Sequence, residues 1–370
     1  MNRSPLLGSF DKLSQVIRFP FRFDSLIDEI NFISLVDLLN FASGYRHVLH
    51  DMCDRVSLLP PSPALLLGSH SPLLLVSPPP KGAYETIQYG VISLHLSGTP
   101  LDARFMVGAT ATTVAQLFVL PTYKERQLQP GLFIEEPTEL KTLAEQITGV
   151  LNETGAILAK EGFPSLAHFI LHRLNHAGDP HPTAEYLVES LAKAFPAFND
   201  IHIVRGQGRS PSLSPSPTFN PSLLVPIIPT LLEVYILKKA QLLAADLNRL
   251  LGTKEKLFLF PDLHRLTAFS DNVLPAVLRE LKILKVADSV RERIDQGDAI
   301  KAAEQIDTEL RAAAIVASEA IIRIAHTPEF LSCGLGETNS MMLDYYLWKV
   351  GKEPQFRTIQ RHSTKDTIFY

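Results

Sequence analysis

The most constraining feature of the sequence is a run of apolar residues at helical spacing from Glu139 to Lys160. Leucine, isoleucine and valine recur there every three or four residues, so they lie on one face of an amphipathic α-helix. The same periodicity predicts helices over 166–174, 184–195, 231–251, 272–286, 307–325 and 339–350. The pattern indicates a mainly α-helical protein with little β-structure, because such helices bury their apolar faces against one another.

Three places depart from a plain helical pattern. Thr86–Leu96 alternates enough to be either a strand or the start of a helix, and Ile201–Val204 predicts a short strand. Gly149 and Gly155 lie inside the helix predicted for 139–160, where each costs about 1 kcal/mol relative to alanine. These glycines indicate either close packing against another helix or a break in the helix.

Two Pro/Ser-rich segments, 57–82 and 206–229, interrupt the helical pattern. The first contains a leucine-rich run, but prolines at 60, 61, 63 and 72 break it, and a membrane helix needs about 20 mostly apolar residues. The second segment has no periodicity and is typical of a surface loop. We therefore predict one compact helical domain over residues 1–370, with these two segments as low-complexity insertions and without a membrane span.

Length, charge and cysteine content limit the classes of function that this chain can have. The 370 residues, 46% of them hydrophobic, suffice for a large core. A net charge of −4 argues against binding nucleic acid through a broad basic surface, although a small phosphorylated ligand needs only a few local cations. Cys53 and Cys333 form neither a disulfide framework nor a metal-binding pattern, and no signal-peptide pattern follows Met1. We expect a cytoplasmic protein that could also be nuclear.

One row of histidines has a spacing that resembles a metal site. His168, His172 and His176 recur every four residues and share a helix face. The glutamate that follows the first histidine in zinc proteases is replaced by Phe169. A polar helix face is the better interpretation, and no glycine pattern for a nucleotide cofactor occurs, so we predict neither a metal nor a cofactor.

Polar residues within the apolar C-terminal third indicate a site. Lys238 and Asp246 lie on one predicted helix, Asp271 on a turn that leads into the next, and Asp344 and Tyr345 on a third helix. Polar groups inside apolar helices are costly unless they are paired or used. We therefore expect these residues to contribute to one site.

Each of these charged residues also has a structural explanation. Asp271 could only cap the helix that follows it, or it could stabilise positive charge on a ligand. Of Lys238 and Lys239, one is expected to face solvent and the other the core, where it could hold a phosphate, a ribose hydroxyl or the catalytic carboxylate. Asp246 is better aligned with Lys239 than with Lys238, and it could equally be a structural partner or a ligand to the substrate.

Phe269 and Asp344 are candidates for binding a planar base. Phe269 could stack on a heterocycle or pack in the core. Asp344 could accept hydrogen bonds from the N–H groups of an aminopyrimidinone, or it could form a salt bridge with Arg311. Arg311 is otherwise expected to belong to an internal ion-pair network with Glu309 and Glu319.

Asp37 and Asn40 are further candidates for substrate binding. They are three residues apart and share a face if the segment is helical. The alternative is that they cap the helix near the turn at Gly44.

A series of short motifs, in order along the chain, carries a family resemblance. The motifs cover 151–155, 238–246, 269–278, 284–288, 309–312, 343–348 and 367–370. In this order they resemble the queuosine salvage proteins, the queuosine 5′-phosphate N-glycosylases. The resemblance covers 23–50 and 83–370 apart from the second insertion. The tail 362–370 departs from it, because relatives more often have two arginines there.

The resemblance implies a helical fold akin to the helix-hairpin-helix DNA glycosylases. It also implies hydrolysis of queuosine 5′-phosphate to queuine and ribose 5-phosphate, which salvages queuine for tRNA. Its catalytic aspartate falls on Asp271, its active-site lysine on Lys238, and base recognition near Phe269 and Asp344–Tyr345. The substrate would be a small molecule rather than a nucleic acid. Two other functions stay open: a non-catalytic deazapurine-binding protein, and a glycosylase of related fold that acts on DNA or nucleosides.

Overall fold

The computed structural model describes residues 21–51, 82–178, 181–206, 230–302 and 304–370. Within these ranges the chain is mainly helical, as the periodicity predicts. The two predicted insertions, 57–82 and 206–229, fall almost wholly outside the described residues.

Up to residue 194, helices and one antiparallel hairpin make up the regular structure of the described chain. The helices are α1 (Leu26–Leu38), α2 (Ala83–Leu96), α3 (Ala103–Gly108), α4 (Ala111–Leu117), α5 (Glu139–Glu161), α6 (Leu166–Asn175) and α7 (Ala184–Ala194). The hairpin strands β1 (Tyr123–Gln129) and β2 (Leu132–Pro137) lie between α4 and α5.

From residue 201 the chain forms a second antiparallel hairpin and further helices. The strands β3 (Ile201–Gly206) and β4 (Thr230–Tyr235) pair with Ile201 opposite Tyr235. The helices are α8 (Lys238–Leu251), α9 (Val273–Glu280), α10 (Asp288–Gln296), α11 (Gln305–Ala325), α12 (Pro328–Leu331), α13 (Ser340–Val350) and α14 (Pro354–Arg357). Within the described ranges, every helix is too short or too polar to cross a lipid bilayer.

The two largest apolar clusters divide the core. The larger packs α1, α5, α6, α7 and α8 together, and the smaller joins α9, α11 and α13. Fully buried phenylalanines such as Phe169 each contribute roughly 1.5–3 kcal/mol to the larger cluster. Ala268 packs in the smaller cluster and its neighbour Phe269 in the larger. The segment before α9 therefore runs along the boundary between the two clusters.

The structure decides the ambiguous segments. Residues 83–96 form a helix, and the predicted strand at 201–204 is confirmed. The helix predicted to start at Leu231 is wrong, because residues 230–235 form β4 and α8 begins only at Lys238. Leu237 adopts a left-handed conformation with φ of 49° between the two elements, and pairing with β3 outweighs the helical spacing of the apolar residues. The helix predicted for 272–286 ends at Glu280.

The two glycines of α5 have different surroundings. A Cβ atom on Gly155 would lie 2.6 Å from Cβ of Met106 and 2.8 Å from the backbone nitrogen of Val107. On the same helix, Asn152 donates hydrogen bonds to the carbonyls of Met106 and Val107. A Cβ atom on Gly149 would meet open space. Gly155 therefore permits the close approach of α3 to α5, whereas Gly149 has no such role.

Replacing these glycines by alanine is expected to have opposite effects on stability. Gly155→Ala should lower the free energy of unfolding by about 1–3 kcal/mol, because the new methyl group overlaps backbone atoms of α3. Gly149→Ala should raise it by up to about 1 kcal/mol, because alanine favours the helix and clashes with nothing. Urea denaturation followed by circular dichroism measures both. Equal effects of the two variants would contradict the close approach.

Candidate active site

A cavity of about 320 Å³ lies at the boundary of the two core clusters. This volume is in the range of small-molecule sites. Its walls come from α1, α2, α8, the segment before α9, α13 and the residues that follow α13. The cavity is lined by all eight residues that the sequence analysis predicts for the site: Asp37, Asn40, Lys238, Asp246, Phe269, Asp271, Asp344 and Tyr345.

Asp271 lies on the turn before α9 and its side chain lines the cavity. Its Oδ1 atom accepts a hydrogen bond of 2.7 Å from the backbone N–H of Val273, the first residue of α9. This is the capping role that the sequence left open. Among the described residues, no hydrogen bond engages the other oxygen, Oδ2. One carboxylate can therefore hold the helix and present a charged oxygen to a ligand.

Lys238 is the first residue of α8 and is buried. Its ammonium group donates to the backbone carbonyl and to Oδ1 of Asn40, both at 2.9 Å. Burial lowers the pKa of Lys238, and the charge of Asp271 opposes that shift. An ammonium group carries three N–H donors, so one remains for a ligand or for Asp271. Because Asn40 follows the end of α1, this lysine ties α1 to α8.

The expectation that Lys238 or Lys239 faces solvent is wrong, since both are buried. Lys239 donates to the carbonyl of Leu38, the last residue of α1, at 2.8 Å. Unpaired carbonyls at a helix C-terminus are favourable acceptors for cations, which explains why this second lysine turns inward. Asn40 reaches the cavity through the turn that follows α1, not from a shared helix face with Asp37.

Asp344 lies on α13 and is buried. Its Oδ1 atom accepts the backbone N–H of Phe269 at 2.9 Å. Burial, together with the nearby charge of Asp271, raises the pKa of Asp344 to about 8. The alternative salt bridge to Arg311 is not formed. Asp344 thus faces the cavity, and among the described residues no cation forms an ion pair with it.

Arg311 is fully buried and pairs with a carboxylate that the sequence did not indicate. Its Nη1 and Nη2 atoms donate to the two oxygens of Asp200 at 3.1 and 2.5 Å, and its Nε atom donates to the carbonyl of Ser270 at 3.0 Å. The predicted network with Glu309 and Glu319 is wrong, because Glu309 is exposed and Glu319 accepts from a serine of α13. Arg311 fixes the backbone just before Asp271.

Tyr345, on α13, contacts both an aromatic residue and an acidic residue of the cavity. Phe269 is buried and packs edge-on against Tyr345, with ring centroids 5.9 Å apart. The Tyr345 hydroxyl donates to Oδ1 of Asp246 at 3.2 Å. The same oxygen accepts from Nη2 of Arg249 at 2.9 Å, so Asp246 pairs with Arg249 and not with Lys239.

Sequence reasoning missed three arginines that line the same cavity: Arg46, Arg357 and Arg361. Arg46 donates to the carbonyl of Arg357 at 2.6 Å, and the other two donate to nearby backbone carbonyls. Within the described ranges none of the three forms an ion pair with a carboxylate. Burial and the charges of Arg46 and Arg357 lower the pKa of Arg361 to about 10, although Asp271 opposes this. Nothing in the sequence distinguishes such arginines from ordinary surface cations.

The cavity rim carries a further cation with aromatic partners. The Lys352 ammonium lies 3.6 Å from the ring centroid of Trp348 and forms a 2.9 Å ion pair with Glu85. Tyr84 packs edge-on against Trp348. Lys352 is therefore already paired, in contrast to the three arginines.

His168 and His172 lie on α6 and His176 caps its C-terminal end, all outside the cavity lining. His168 is within hydrogen-bond distance of Ser165, and His176 of the backbone carbonyl of His172. In the part of the chain that the structure describes, no group of three or more His, Cys, Asp or Glu side chains is arranged to hold a metal ion.

Known proteins share sequence similarity with the part of the chain that contains most of the cavity residues. Residues 230–370 match the family described as queuosine salvage protein. A protein of Sphaerobacter thermophilus named queuosine 5′-phosphate N-glycosylase/hydrolase is 28% identical over 228 residues, which cover 62% of this chain and 58% of that protein. Proteins of the same name from Nematostella vectensis and Bos taurus are 28% and 26% identical, with 64% and 62% of this chain and 61% and 58% of theirs covered.

The match spans about three fifths of the length of these relatives. Lys238, Asp271, Asp344 and Arg361 lie in the matched C-terminal region, whereas Asp37 precedes it. The resemblance to the queuosine salvage protein family, inferred from the ordered motifs, is thereby confirmed.

Proposed function

We propose that this protein is an N-glycosyl hydrolase that cleaves queuosine 5′-phosphate into queuine and ribose 5-phosphate. The observation that carries the proposal is one cavity lined by three kinds of group. They are the Asp271 carboxylate, the aromatic and acidic pair Phe269 and Asp344, and the three arginines. The name of the relatives supports this choice of substrate.

Cleavage of an N-glycosidic bond develops positive charge on the ribose. A carboxylate beside the sugar stabilises that charge and can accept a proton from the attacking water. Water bonds to the anomeric carbon, the base departs with the electron pair of the broken bond, and the base gains one proton while the water loses one. Asp271 suits this role because its Oδ1 atom is anchored by the N–H of Val273 and its Oδ2 atom is free for the sugar.

The neighbouring residues position the two halves of the substrate. Lys238, held by Asn40, has one N–H left for a ribose hydroxyl or for Asp271. Phe269 and Tyr345 present aromatic surface to the base, where stacking contributes about 1–3 kcal/mol. The Asp344 carboxyl group can accept the N–H donors of the aminopyrimidinone edge.

The direct test measures turnover. Queuosine 5′-phosphate is incubated with protein in trace amount, and free queuine is separated by chromatography. Many equivalents of queuine per protein chain are expected. Binding of one equivalent without release would instead indicate a non-catalytic deazapurine-binding protein. Release of a base from DNA, with none from queuosine 5′-phosphate, would indicate a DNA glycosylase.

We further propose that residues 1–370 form a single domain akin to the helix-hairpin-helix DNA glycosylases, and that the protein acts in the cytoplasm on a free nucleotide. The helical content and the position of the cavity between helices support the first proposal. An experimental structure superposed on those glycosylases tests the fold, and cell fractionation tests the compartment.

The three arginines are the proposed site of the 5′-phosphate. The planar guanidinium group of arginine can donate two parallel N–H bonds to phosphate oxygens. Among the described residues, these three side chains have no carboxylate partner. The charge of Arg361 interacts with that of Asp271, so an anion held there would lie next to the sugar. This arrangement favours a 5′-monophosphate over the nucleoside.

Arg361→Gln is expected to weaken use of the phosphorylated substrate selectively. Loss of a charge-assisted hydrogen bond should raise KM for queuosine 5′-phosphate about 10- to 100-fold, with little change for queuosine nucleoside. Steady-state kinetics on both substrates measures this. Arg323→Gln, an exposed change on α11 away from the cavity, is the matched control. Equal losses on both substrates would contradict a phosphate contact.

A further inference from the structure

One part of the cavity contains a carboxyl group whose position the proposed hydrolysis does not explain. Asp37, near the end of α1, is 1% exposed and lines the cavity. Its Oδ2 atom is buried and has no hydrogen-bond partner. A buried polar atom without a partner is costly, so its retention indicates that a ligand supplies the missing donor.

A second carboxyl group lies close to it. Burial and the charge of Asp246 raise the pKa of Asp37 well above its usual range. Arg249 and Tyr345 both donate to Oδ1 of Asp246, and among the described residues no hydrogen bond engages its Oδ2 atom. The two aspartates thus offer the cavity two acceptor oxygens that the protein itself leaves unused. Arg249 donates to Asp246 and Lys238 donates to Asn40, and neither of these cations donates to the Oδ2 atom of Asp37.

Helix α8 sets the distance of this pair from the sugar. Lys238, Leu242, Asp246 and Arg249 line the cavity at helical spacing, so the cavity follows the helix. Asp246 lies about 12 Å along the helix axis from Lys238. The charge of Lys238 interacts with those of Asp271, Asp37 and Asp344, and the charge of Asp37 interacts also with that of Asp246. We therefore place the sugar and the aminopyrimidinone edge at the Lys238 end, with Asp37 between that end and Asp246. The Asp246 end is left for the part of the ligand that extends beyond the bicyclic base.

We propose that Asp37 and Asp246 form a cation subsite for the protonated secondary amine of the queuine substituent. This inference rests on the proposed function, because in queuosine that amine joins the deazaguanine to a cyclopentenediol ring. An ammonium group can donate one N–H bond to the free oxygen of each aspartate, and its charge favours ionisation of the buried Asp37 beside Asp246. The subsite favours 7-deazaguanines with a cationic 7-substituent over neutral ones, because a neutral substituent brings no charged N–H donor to the unpaired oxygen of Asp37.

Two free bases of similar size test the subsite without any sugar. Titration calorimetry compares 7-aminomethyl-7-deazaguanine, which is cationic, with 7-cyano-7-deazaguanine, which is neutral. The parent protein is expected to bind the cationic base at least about tenfold more tightly. Asp37→Asn keeps the shape of the side chain but cannot ionise, so it should bring the ratio close to one while affinity for the cyano base is retained. Asp246→Asn is the second variant.

Asp298→Asn removes one negative charge from a surface residue outside the cavity and should keep the parental ratio. Equal affinity of the parent protein for the two bases, or an unchanged ratio in both Asp37→Asn and Asp246→Asn, would overturn the subsite. The result is independent of catalysis, because neither base has a glycosidic bond. If the protein hydrolyses queuosine 5′-phosphate but binds the two bases equally well, only the subsite is refuted. If it binds the cationic base more tightly but does not hydrolyse queuosine 5′-phosphate, only the proposed enzymatic activity is refuted.

Discussion

Asp271→Asn is expected to lower kcat for release of queuine from queuosine 5′-phosphate about 10³-fold while substrate still binds. Asparagine retains the Oδ1 acceptor, so the hydrogen bond from the N–H of Val273 that starts α9 can persist. The change removes the negative charge that would face the ribose as positive charge develops on it. The loss should therefore appear in turnover and not in folding or in binding.

Single-turnover kinetics with excess protein separates the chemical step from binding in this variant. The chain offers a close control in Asp102, which caps α3 by accepting the N–H of Phe105 at 2.8 Å and lies outside the cavity. Asp102→Asn makes the same chemical change at a helix start and should leave turnover at the parental level. If Asp271→Asn hydrolyses queuosine 5′-phosphate at the parental rate, the assignment of Asp271 is wrong.

The sequence identified the members of the cavity because polar residues in apolar helices are rare enough to notice. Lys238, Asp271 and Asp344 stand out on that ground, the family resemblance assigns them roles, and the structure places them on one cavity. Their partners could not be read in the same way. Lys238 meets Asn40 and Arg311 meets Asp200, and both contacts join residues more than 100 positions apart. Local spacing contains no information about such pairs.

The lack of long-range information in local spacing also explains the errors in the predicted fold and in the predicted ion pairs. Helical periodicity located α5, α6, α7, α11 and α13, where one face of each helix is buried. It failed at 231–235, where pairing with β3 decides the conformation. The sequence also suggested that Arg311 pairs with Glu309 and Glu319, which lie on the same helix. A fully buried guanidinium needs a buried carboxylate, and that carboxylate is Asp200. The three cavity arginines were missed because the absence of a carboxylate partner is visible only in three dimensions.

Arg311→Met is expected to lower the free energy of unfolding by about 3–5 kcal/mol at neutral pH. Arg311 and Asp200 are 0% and 1% exposed, and the substitution leaves the Asp200 carboxylate buried without its bidentate partner. The carbonyl of Ser270 also loses its donor, so the backbone that carries Asp271 should become less well fixed. Turnover should fall together with stability.

The pH dependence follows from the pKa of Asp200. Burial would raise this pKa, but Arg311 and a hydrogen bond from His202 lower it to about 2. A lowered carboxyl pKa stabilises the folded protein above the unfolded-state value of about 3.9 and loses that contribution as pH falls toward 2. The difference between the parent protein and Arg311→Met should therefore be largest at neutral pH and narrow under acid conditions.

Urea denaturation at several pH values measures this difference. Arg293→Met is the comparison, because Arg293 pairs with Glu304 at 2.7 Å while about a third of each side chain stays exposed. Water screens such a pair, so its loss should cost little stability. In one contrary result, Arg311→Met loses no more unfolding free energy than Arg293→Met, and in another its loss grows on acidification. Either result would show that the Arg311–Asp200 pair does not support the candidate site. A large deficit at neutral pH that narrows with acid would show that the buried pair holds the segment on which Asp271 lies.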